Sequence, residues 1–335
     1  MAASAIERYR VAATHRAKWL KKVAWKPVRG FLRGATREAA AELGGMVLPP
    51  WRCPGCGSRR KRRRLARCGG VVGATLLRQR VYATGCPRCG LLYATPRPTD
   101  VRLETLYAED GEWAASHSEP TARDTVAQRL IREVHRTTGV CAPAPGSQVL
   151  DFGCGRGRWL NSLAAYGWTT FGIEPSTKAA FDRHTELTAI PADPRFDFVV
   201  ATHVLEHLTN PGEILDALGS ATRPGGWIYL SVPNVDRLPE HRDWRYILNA
   251  NAHIAAYTLD CLRVLLGRAG FGGVTLVTMP KDTKKNAKRL RVVARRGAPA
   301  MPVAHPLDAA LEALRLMGSD PPTRSDSRLV AVRPG

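Results

Sequence analysis

The sequence predicts an α/β fold for the larger part of the chain, with a small cysteine-rich unit ahead of it. Residues 149–157 (VLDFGCGRG) have the pattern of a short buried strand that runs into a glycine turn, and a helical stretch follows. Two further apolar runs, 169–173 and 196–201, predict additional strands of the same sheet. A repeated CPxCG motif, at 53–57 and 86–90, predicts the separate cysteine-rich unit.

The glycine turn predicts a nucleotide-containing cofactor, because glycine lets the backbone approach a ligand closely. Asp151 stands two residues before the first glycine, where its carboxylate would repel phosphate and attract a cation. The spacing is G-x-G-x-G, which differs from the G-x-G-x-x-G of dinucleotide-binding turns. S-adenosylmethionine carries an ammonium, a sulfonium and no phosphate, so these residues favour it as the cofactor. Glu174 ends the next predicted strand, about 20 positions past the turn, where such folds hold ribose hydroxyls.

The elements after the third strand follow from local signals. The motif HVLEHL comes directly after that strand, and Asn210 is expected to cap the next helix, with Glu213 three residues later. An RPGG turn then leads into a strand predicted at 227–232. Thr258 is expected to cap a helix over 259–269, which a glycine ends.

Five motifs occur in order along the chain: FD-VV, VLEHL, NP, RPGG and SVPN. Over about residues 147–296, this order resembles the class I S-adenosylmethionine-dependent methyltransferases, in their small-molecule and glycan branch. The resemblance implies a Rossmann-like, seven-stranded methyltransferase domain that transfers a methyl group to a small-molecule or glycan acceptor, with the methylated atom left open between oxygen, nitrogen and carbon. A histidine could act as base where the acceptor must lose a proton, and the candidates are His203, His207 and His253. The expected cofactor-binding residues are Asp151, Gly153, Cys154, Gly155, Gly157, Glu174 and Asp193.

The two CPxCG motifs predict a structural zinc site, because two C-x-x-C pairs about 30 residues apart are typical of a four-thiolate zinc ribbon. The glycine after each pair permits the positive φ of a tight turn, with amide donors that can point at sulfur. A redox dithiol is disfavoured, because it would need a βαβ context that these Pro- and Gly-rich stretches lack. A disulfide framework is also not expected, because the sequence shows no signal peptide. We interpret Cys68 as an additional cysteine and Cys261 as an ordinary residue. The expected zinc ligands are Cys53, Cys56, Cys86 and Cys89.

The motif LLYATPRPT, followed by LY, resembles a subgroup in which a zinc ribbon precedes the methyltransferase domain. We therefore expect four parts in this chain. They are a basic amphipathic segment (1–45), a zinc ribbon and linker (46–115), a methyltransferase domain (116–297), and a C-terminal helix and tail (298–335).

The net charge of +21 over 335 residues leaves the partner open. Residues 1–45 hold ten Lys and Arg against three Glu, interleaved with apolar residues, and such a segment can lie on an anionic membrane surface. A second basic run, Arg59 to Arg64, lies between the cysteine motifs. An RNA methyltransferase whose ribbon and basic run clamp RNA is one alternative, and a zinc-ribbon binding protein with an inactive methyltransferase fold is another. The PRPT-LY and VLEHL motifs favour a small-molecule or glycan acceptor over nucleic acid.

The sequence has neither a signal-peptide core nor an apolar run near the ~20 residues that span a membrane. We therefore expect a cytoplasmic protein. Two alternatives stay open for the basic segment: peripheral association with the inner face of the membrane, or a solvated or docked arm.

Overall fold

The structure is a computed structural model of the whole chain. The residues it describes are 46–47, 52–60, 63–72, 79–95, 97–98, 125–139, 143–174, 184–242, 244–248, 253–278 and 288–317. The predicted basic segment 1–45 lies outside them.

The first five strands come before the central sheet in the sequence. They are β1 (Met46–Val47), β2 (Arg63–Val72), β3 (Gln79–Gly85), β4 (Leu92–Thr95) and β5 (Arg97–Pro98). The first half of the larger domain consists of α1 (Thr125–Thr138), β6 (Gln148–Phe152), α2 (Arg158–Ala164), β7 (Thr169–Ile173), β8 (Thr185–Glu186), β9 (Phe196–Thr202) and a 3-10 turn at Leu205–His207. The second half consists of α3 (Pro211–Ala221), β10 (Thr222–Pro233), α4 (Leu238–His241), α5 (Trp244–Ile247), β11 (Ala255–Ala256), α6 (Leu259–Arg268), β12 (Phe271–Leu276), β13 (Arg289–Arg296) and α7 (Asp308–Leu316).

The central sheet has seven strands in the order β12-β13-β10-β9-β6-β7-β8. Strands β8, β7, β6, β9 and β10 run parallel, and β13 pairs antiparallel with both β10 and β12. The chain moves from β6 outward to β7 and β8, and then returns to β9 on the other side of β6. The strand order therefore reverses between β6 and β9, which is where α/β sheets bind ligands at the carboxyl ends of their strands.

The apolar runs identified in the sequence are the inner strands of this sheet. β7 has the predicted bounds, and β9 extends the predicted run by one residue. Each central strand contributes side chains to a core on both faces, as expected for a parallel sheet. The RPGG turn is part of β10, where the pairing with β9 shifts between Thr222 and Trp227 and Gly225 has φ 80°.

The two predicted helix caps have different outcomes. Thr258 accepts a hydrogen bond from the Cys261 amide at 3.1 Å, so its capping role is confirmed. Asn210 occupies the cap position of α3, but its side chain makes no capping bond to the backbone and instead donates to Glu213 Oε2 at 3.0 Å. The side-chain capping predicted for Asn210 is therefore wrong, because the side chain is held toward Glu213 by Nδ2, and its Oδ1, the atom that would cap, has no hydrogen-bond partner among the described residues.

The cysteine-rich unit builds a second sheet, and the larger domain completes it. Its order is β11-β4-β3-β2, so a strand from the C-terminal half of the chain pairs with the strand that follows the second cysteine motif. The cysteines belong to the same buried cluster as Leu265 and Leu266 of α6. The C-terminal helix α7 packs on the other face, where Leu307 and Leu314 share a core with Leu92 of β4. The ribbon is thus packed directly on the larger domain.

Within the described residues, no helix has the length and apolar character needed to cross a membrane.

Candidate active site

The glycine turn after β6 forms the floor of the candidate site. Gly153, Gly155 and Gly157 have φ values of 74°, 53° and 73°, a left-handed conformation that other residues adopt only with strain. The amide of Gly153 donates to Ile173 O at 2.7 Å, and the amide of Gly155 donates to Glu174 Oε2 at 2.9 Å. The turn is therefore held against the end of β7 by its own backbone donors.

Glu174 lies where the sequence predicts it, directly after β7. Because its carboxylate accepts from the Gly155 amide, Glu174 also fixes the shape of the turn. The sequence did not indicate this second role. A ribose-binding role for Glu174 remains a prediction.

Asp151 is a buried carboxylate near the end of β6, on the strand that leads into the turn. It is 1% exposed, and neither carboxylate oxygen has a hydrogen-bond partner among the described residues. Burial, followed by repulsion from Glu174, raises the pKa of Asp151 to about 8. A buried acid with no donor nearby is costly unless a cation compensates it, so Asp151 fits the positive charge of the predicted cofactor.

The other two residues expected at the cofactor differ from each other in placement. Cys154 is buried within the turn, where its amide donates to Ile173 O at 3.2 Å and burial raises the pKa of its thiol. Asp193 lies exposed on the loop between β8 and β9. Cys154 therefore contributes its backbone to the turn, whereas Asp193 lies on a surface loop.

The HVLEHL motif follows β9, the strand next to β6, so it lies beside the glycine turn. A Cβ atom on Gly153 would come within 2.3 Å of the Val204 side chain, which shows how closely the two loops approach. His203 has φ 55°, a strained conformation for a residue other than glycine. Such strain is often found at functional sites, where the surrounding structure holds it in place.

Glu206 lies at the centre of the histidine loop and is fully buried. His203 Nδ1 donates to Glu206 Oε1 at 2.9 Å, and His207 Nε2 lies 3.9 Å from the same oxygen. Burial alone would raise the pKa of Glu206, but the His203 hydrogen bond and the positive charges of His207, His203 and His253 outweigh it and lower the pKa. Glu206 is therefore a carboxylate that can stabilise protonated histidines beside it.

His253 reaches the same place from the segment between α5 and β11. Its ring lies edge-on to that of His207, with the ring centroids 4.8 Å apart. His253 Nδ1 is hydrogen-bonded to the backbone carbonyl of Tyr246, and since a carbonyl only accepts, Nδ1 must carry the proton. In the neutral ring, Nε2 then holds the lone pair that a general base needs. The structure thus brings together all three predicted histidines around Glu206, a residue that the sequence did not single out as functional.

The four predicted zinc ligands also meet. All four cysteines are buried, and their sulfur atoms lie within 4.8 Å of one another. Cys53 Sγ lies 3.6 Å from Cys89 Sγ, and Cys56 Sγ lies 3.7 Å from Cys86 Sγ. A tetrahedral zinc ion with Zn–S bonds of about 2.3 Å would hold its sulfurs roughly 3.8 Å apart, so the spacing fits zinc.

The glycines after the cysteine pairs are in the predicted conformation, with φ 68° at Gly57 and φ 75° at Gly90. Their own amides donate to the carbonyl oxygens of Cys53 and Cys86, both at 2.8 Å. Other amides of the two turns point at sulfur as expected, since the backbone of Ser58 lowers the pKa of the Cys56 thiol and the backbone of Cys89 lowers that of Cys86. Cys261, on α6, is buried in the same cluster as the four cysteines, and its nearby thiol contributes to raising the pKa of Cys89.

The basic run is only partly described, since residues 61 and 62 lie outside the described ranges. Arg59 and Arg60 are exposed, whereas the Arg64 guanidinium lies over the Tyr82 ring at 4.1 Å. At least one arginine of the run therefore packs on the ribbon itself.

Comparison with known proteins gives the family of the larger domain. A family model described as a methyltransferase domain matches residues 122–276. Curated relatives include ubiquinone biosynthesis O-methyltransferases from Albidiferax ferrireducens, 32% identical over 109 residues (28% of this chain and 43% of the relative), and from Burkholderia orbicola, 34% identical over 105 residues (27% and 45%). The chain thus spans less than half the length of these relatives.

Solved structures similar to this chain include 1,6-didemethyltoxoflavin-N1-methyltransferase from Burkholderia thailandensis, with TM-score 0.45, 16% identity and coverage of 68% of this chain and 99% of that one. A methyltransferase from Archaeoglobus fulgidus has TM-score 0.41 and 18% identity, with coverage of 56% and 100%. The family match and the seven-stranded sheet together identify residues 122–276 as a class I S-adenosylmethionine-dependent methyltransferase domain.

Proposed function

We propose that this protein transfers the methyl group of S-adenosylmethionine to a hydroxyl group of a small-molecule or glycan acceptor, with a histidine of the site as general base. The observation that carries the proposal is the meeting of two loops at the switch point of the sheet. The glycine turn with the unpartnered Asp151 follows β6, and the loop with His203, Glu206 and His207 follows β9 beside it, where His253 joins it.

The chemistry divides between these two loops. S-adenosylmethionine is an activated methyl donor, so the protein must chiefly hold donor and acceptor in line. Asp151 provides a negative charge for the cofactor's cationic end. A hydroxyl must lose its proton to become a good nucleophile, and His253 Nε2 or a ring nitrogen of His207 can take it.

The pairing with Glu206 explains why histidines suit this role. When one of the rings accepts a proton, the buried carboxylate between them stabilises the new positive charge. The ubiquinone relatives are O-methyltransferases by name, which supports oxygen as the methylated atom.

We also propose that the four cysteines bind one structural zinc ion. The sulfur spacing fits tetrahedral coordination, and four protein ligands leave no position for a reacting water. Zinc would hold the two cysteine motifs together and stabilise the fold of the ribbon, because the binding energy of such sites is largely folding energy.

Methyl transfer can be tested with tritiated S-adenosylmethionine and a panel of phenols, catechols, glycans and RNA. The expected result is label on a hydroxyl-bearing small molecule or glycan, with turnover reduced at least about 100-fold in His253→Gln. His305→Gln is the matched control, because His305 is an exposed histidine just ahead of α7. Label found on RNA, or wild-type turnover in both His253→Gln and His207→Gln, would contradict the proposal.

Zinc can be tested by elemental analysis of the purified chain. We expect one zinc per chain, its loss in Cys86→Ser, and its retention in Cys68→Ser, a control cysteine on β2 of the same ribbon. Full zinc occupancy in Cys86→Ser would disprove the ligand set.

A further inference from the structure

The two cysteine motifs of the ribbon each hold a different part of the acceptor site. The first motif contacts the start of α3, four residues after His207. The Gly212 amide donates to Pro54 O at 3.2 Å, and a Cβ atom on Gly212 would lie 1.9 Å from Gly55 O. Arg268 of α6 donates to the same Gly55 carbonyl at 2.8 Å. The backbone of the first motif is therefore seated closely against the segment that follows His207.

The second motif holds the segment that carries His253. It runs directly into β4, which pairs with β11 in the register Ala255 with Tyr93. The Ala94 amide donates to Ile254 O at 3.0 Å, and the Ile254 amide donates to Glu206 O at 2.8 Å. Ile254, the neighbour of His253, thus links β4 of the ribbon to the backbone of the histidine loop.

Tyr257 adds a buried tie across the same region. It is fully buried, and its hydroxyl donates to Leu205 O at 2.7 Å. The segment 253–257 therefore lies between β4 of the ribbon and the 3-10 turn of the histidine loop.

We propose that the metal state of the four-cysteine cluster sets the distance and angle between His207 and His253, so that the ribbon positions the acceptor side of the site. The first motif fixes the segment after His207, and the second motif fixes the segment after His253. The sulfur contacts between the two motifs therefore determine how these two segments are placed relative to each other. This inference rests on the zinc site and the histidine roles of the proposed function.

The cofactor side is held by different contacts. The glycine turn is fixed by Ile173 and Glu174 at the end of β7, on the opposite side of β6 from β9 and the histidine loop. Loss of the metal should therefore disturb the histidine pair and leave cofactor binding nearly unchanged. A metal that merely kept the whole protein folded would affect both together.

The experiment compares full-length protein with and without zinc, using Cys86→Ser and a chelator-treated wild type, with Cys68→Ser as the control. S-adenosylhomocysteine is the calorimetric probe, and histidine-selective labelling allows NMR to detect the nuclear Overhauser effect between the rings of His207 and His253. We expect zinc loss to remove that effect while the Kd for S-adenosylhomocysteine changes by no more than about twofold. Persistence of the effect without zinc, or parallel loss of S-adenosylhomocysteine binding, would overturn the proposal.

A second variant tests the same link with the metal still bound. Gly212→Ala places a methyl group against the Gly55 carbonyl, whereas Gly267→Ala, within α6, meets only the Ala300 side chain at 3.1 Å. We expect Gly212→Ala to retain zinc and S-adenosylhomocysteine binding but to weaken the contact between the rings, and Gly267→Ala to behave as wild type. An unchanged ring contact in Gly212→Ala would overturn the proposed link. These measurements need no acceptor, so a failure to detect methyl transfer would count against the proposed function and not against this inference.

Discussion

Asp151 should couple cofactor binding to the release of a proton. Because this carboxyl is buried without a partner and lies near Glu174, its pKa is raised to about 8 in the cofactor-free protein. It is therefore mostly protonated at neutral pH. A cofactor that brings an ammonium and a sulfonium favours the ionised form, so its binding should expel the proton.

The size of the effect follows from the pKa. With a pKa of about 8, about nine-tenths of the Asp151 carboxyl groups are protonated at pH 7, so binding should release about 0.9 proton per cofactor. For the same reason, affinity should rise roughly tenfold per pH unit between about pH 6 and 7.5. The rise should level off above about pH 8, where Asp151 is already ionised.

Calorimetry of S-adenosylmethionine binding in buffers of different ionisation enthalpy measures the released proton directly. Asp151→Asn keeps the shape of the side chain but cannot titrate, so its proton release should fall to about zero and its affinity should no longer depend on pH over this range. Equal proton release in the wild type and Asp151→Asn would refute the assignment, and so would a wild type that releases none.

The same pKa has a consequence for stability. A folded-state pKa raised above the unfolded value stabilises the protein fully below about pH 4, and this contribution is lost as the pH rises through about 8. Thermal melting of the cofactor-free protein should therefore show a decrease in Tm over this range, and the decrease should be smaller in Asp151→Asn.

Three further changes test other parts of the site. Glu174→Ala should weaken S-adenosylhomocysteine binding by about 1.5–3 kcal/mol per lost charge-assisted bond. Glu174→Gln should lose less binding free energy, because it can still accept from the Gly155 amide. Calorimetry measures both variants, and equal losses would count against the bond to the turn. Tyr246→Phe should leave the position of His253 unchanged, because the Tyr246 backbone carbonyl accepts from His253 Nδ1 and a phenyl ring keeps the edge-on ring contact. Loss of the proton from His253 Nδ1 in the NMR spectrum of this variant would disagree with the assigned bond. Thr258→Ala should cost about 1 kcal/mol of unfolding free energy by removing the cap of α6, and Thr258→Ser should restore most of it; chemical denaturation measures both, and an equal cost in the two variants would contradict the capping role.

Local sequence signals predicted the structure correctly wherever the residues of one short segment determine the conformation of that segment. The bounds of β7 and the cap at Thr258 could be read directly, because apolar runs and capping residues act on their immediate neighbours. The left-handed glycines of the turn belong to the same class, since the conformation needs glycine wherever it occurs. Asn210 shows the limit of such signals, because its Nδ2 bond to Glu213 orients the side chain and its Oδ1 makes no capping bond.

The sequence could name the histidines as candidates but could not show which of them meet. His207 and His253 are far apart in the chain, and their contact depends on Ile254 being held between β4 and the histidine loop. Nor could the sequence show which nitrogen of His253 carries the proton, because the Tyr246 carbonyl that decides it comes from a separate helix.

The sequence by itself therefore determined the parallel sheet, the glycine turn, the two cysteine motifs and their likeness to methyltransferases, because each is encoded in a few contiguous residues. Only the tertiary structure decided that β11 completes the ribbon sheet, that Cys261 lies against the cysteine cluster, and that Glu206 is buried among three histidines. The physical reason is that strand pairing, burial and charge compensation depend on which distant segments pack together, and no local pattern records that choice.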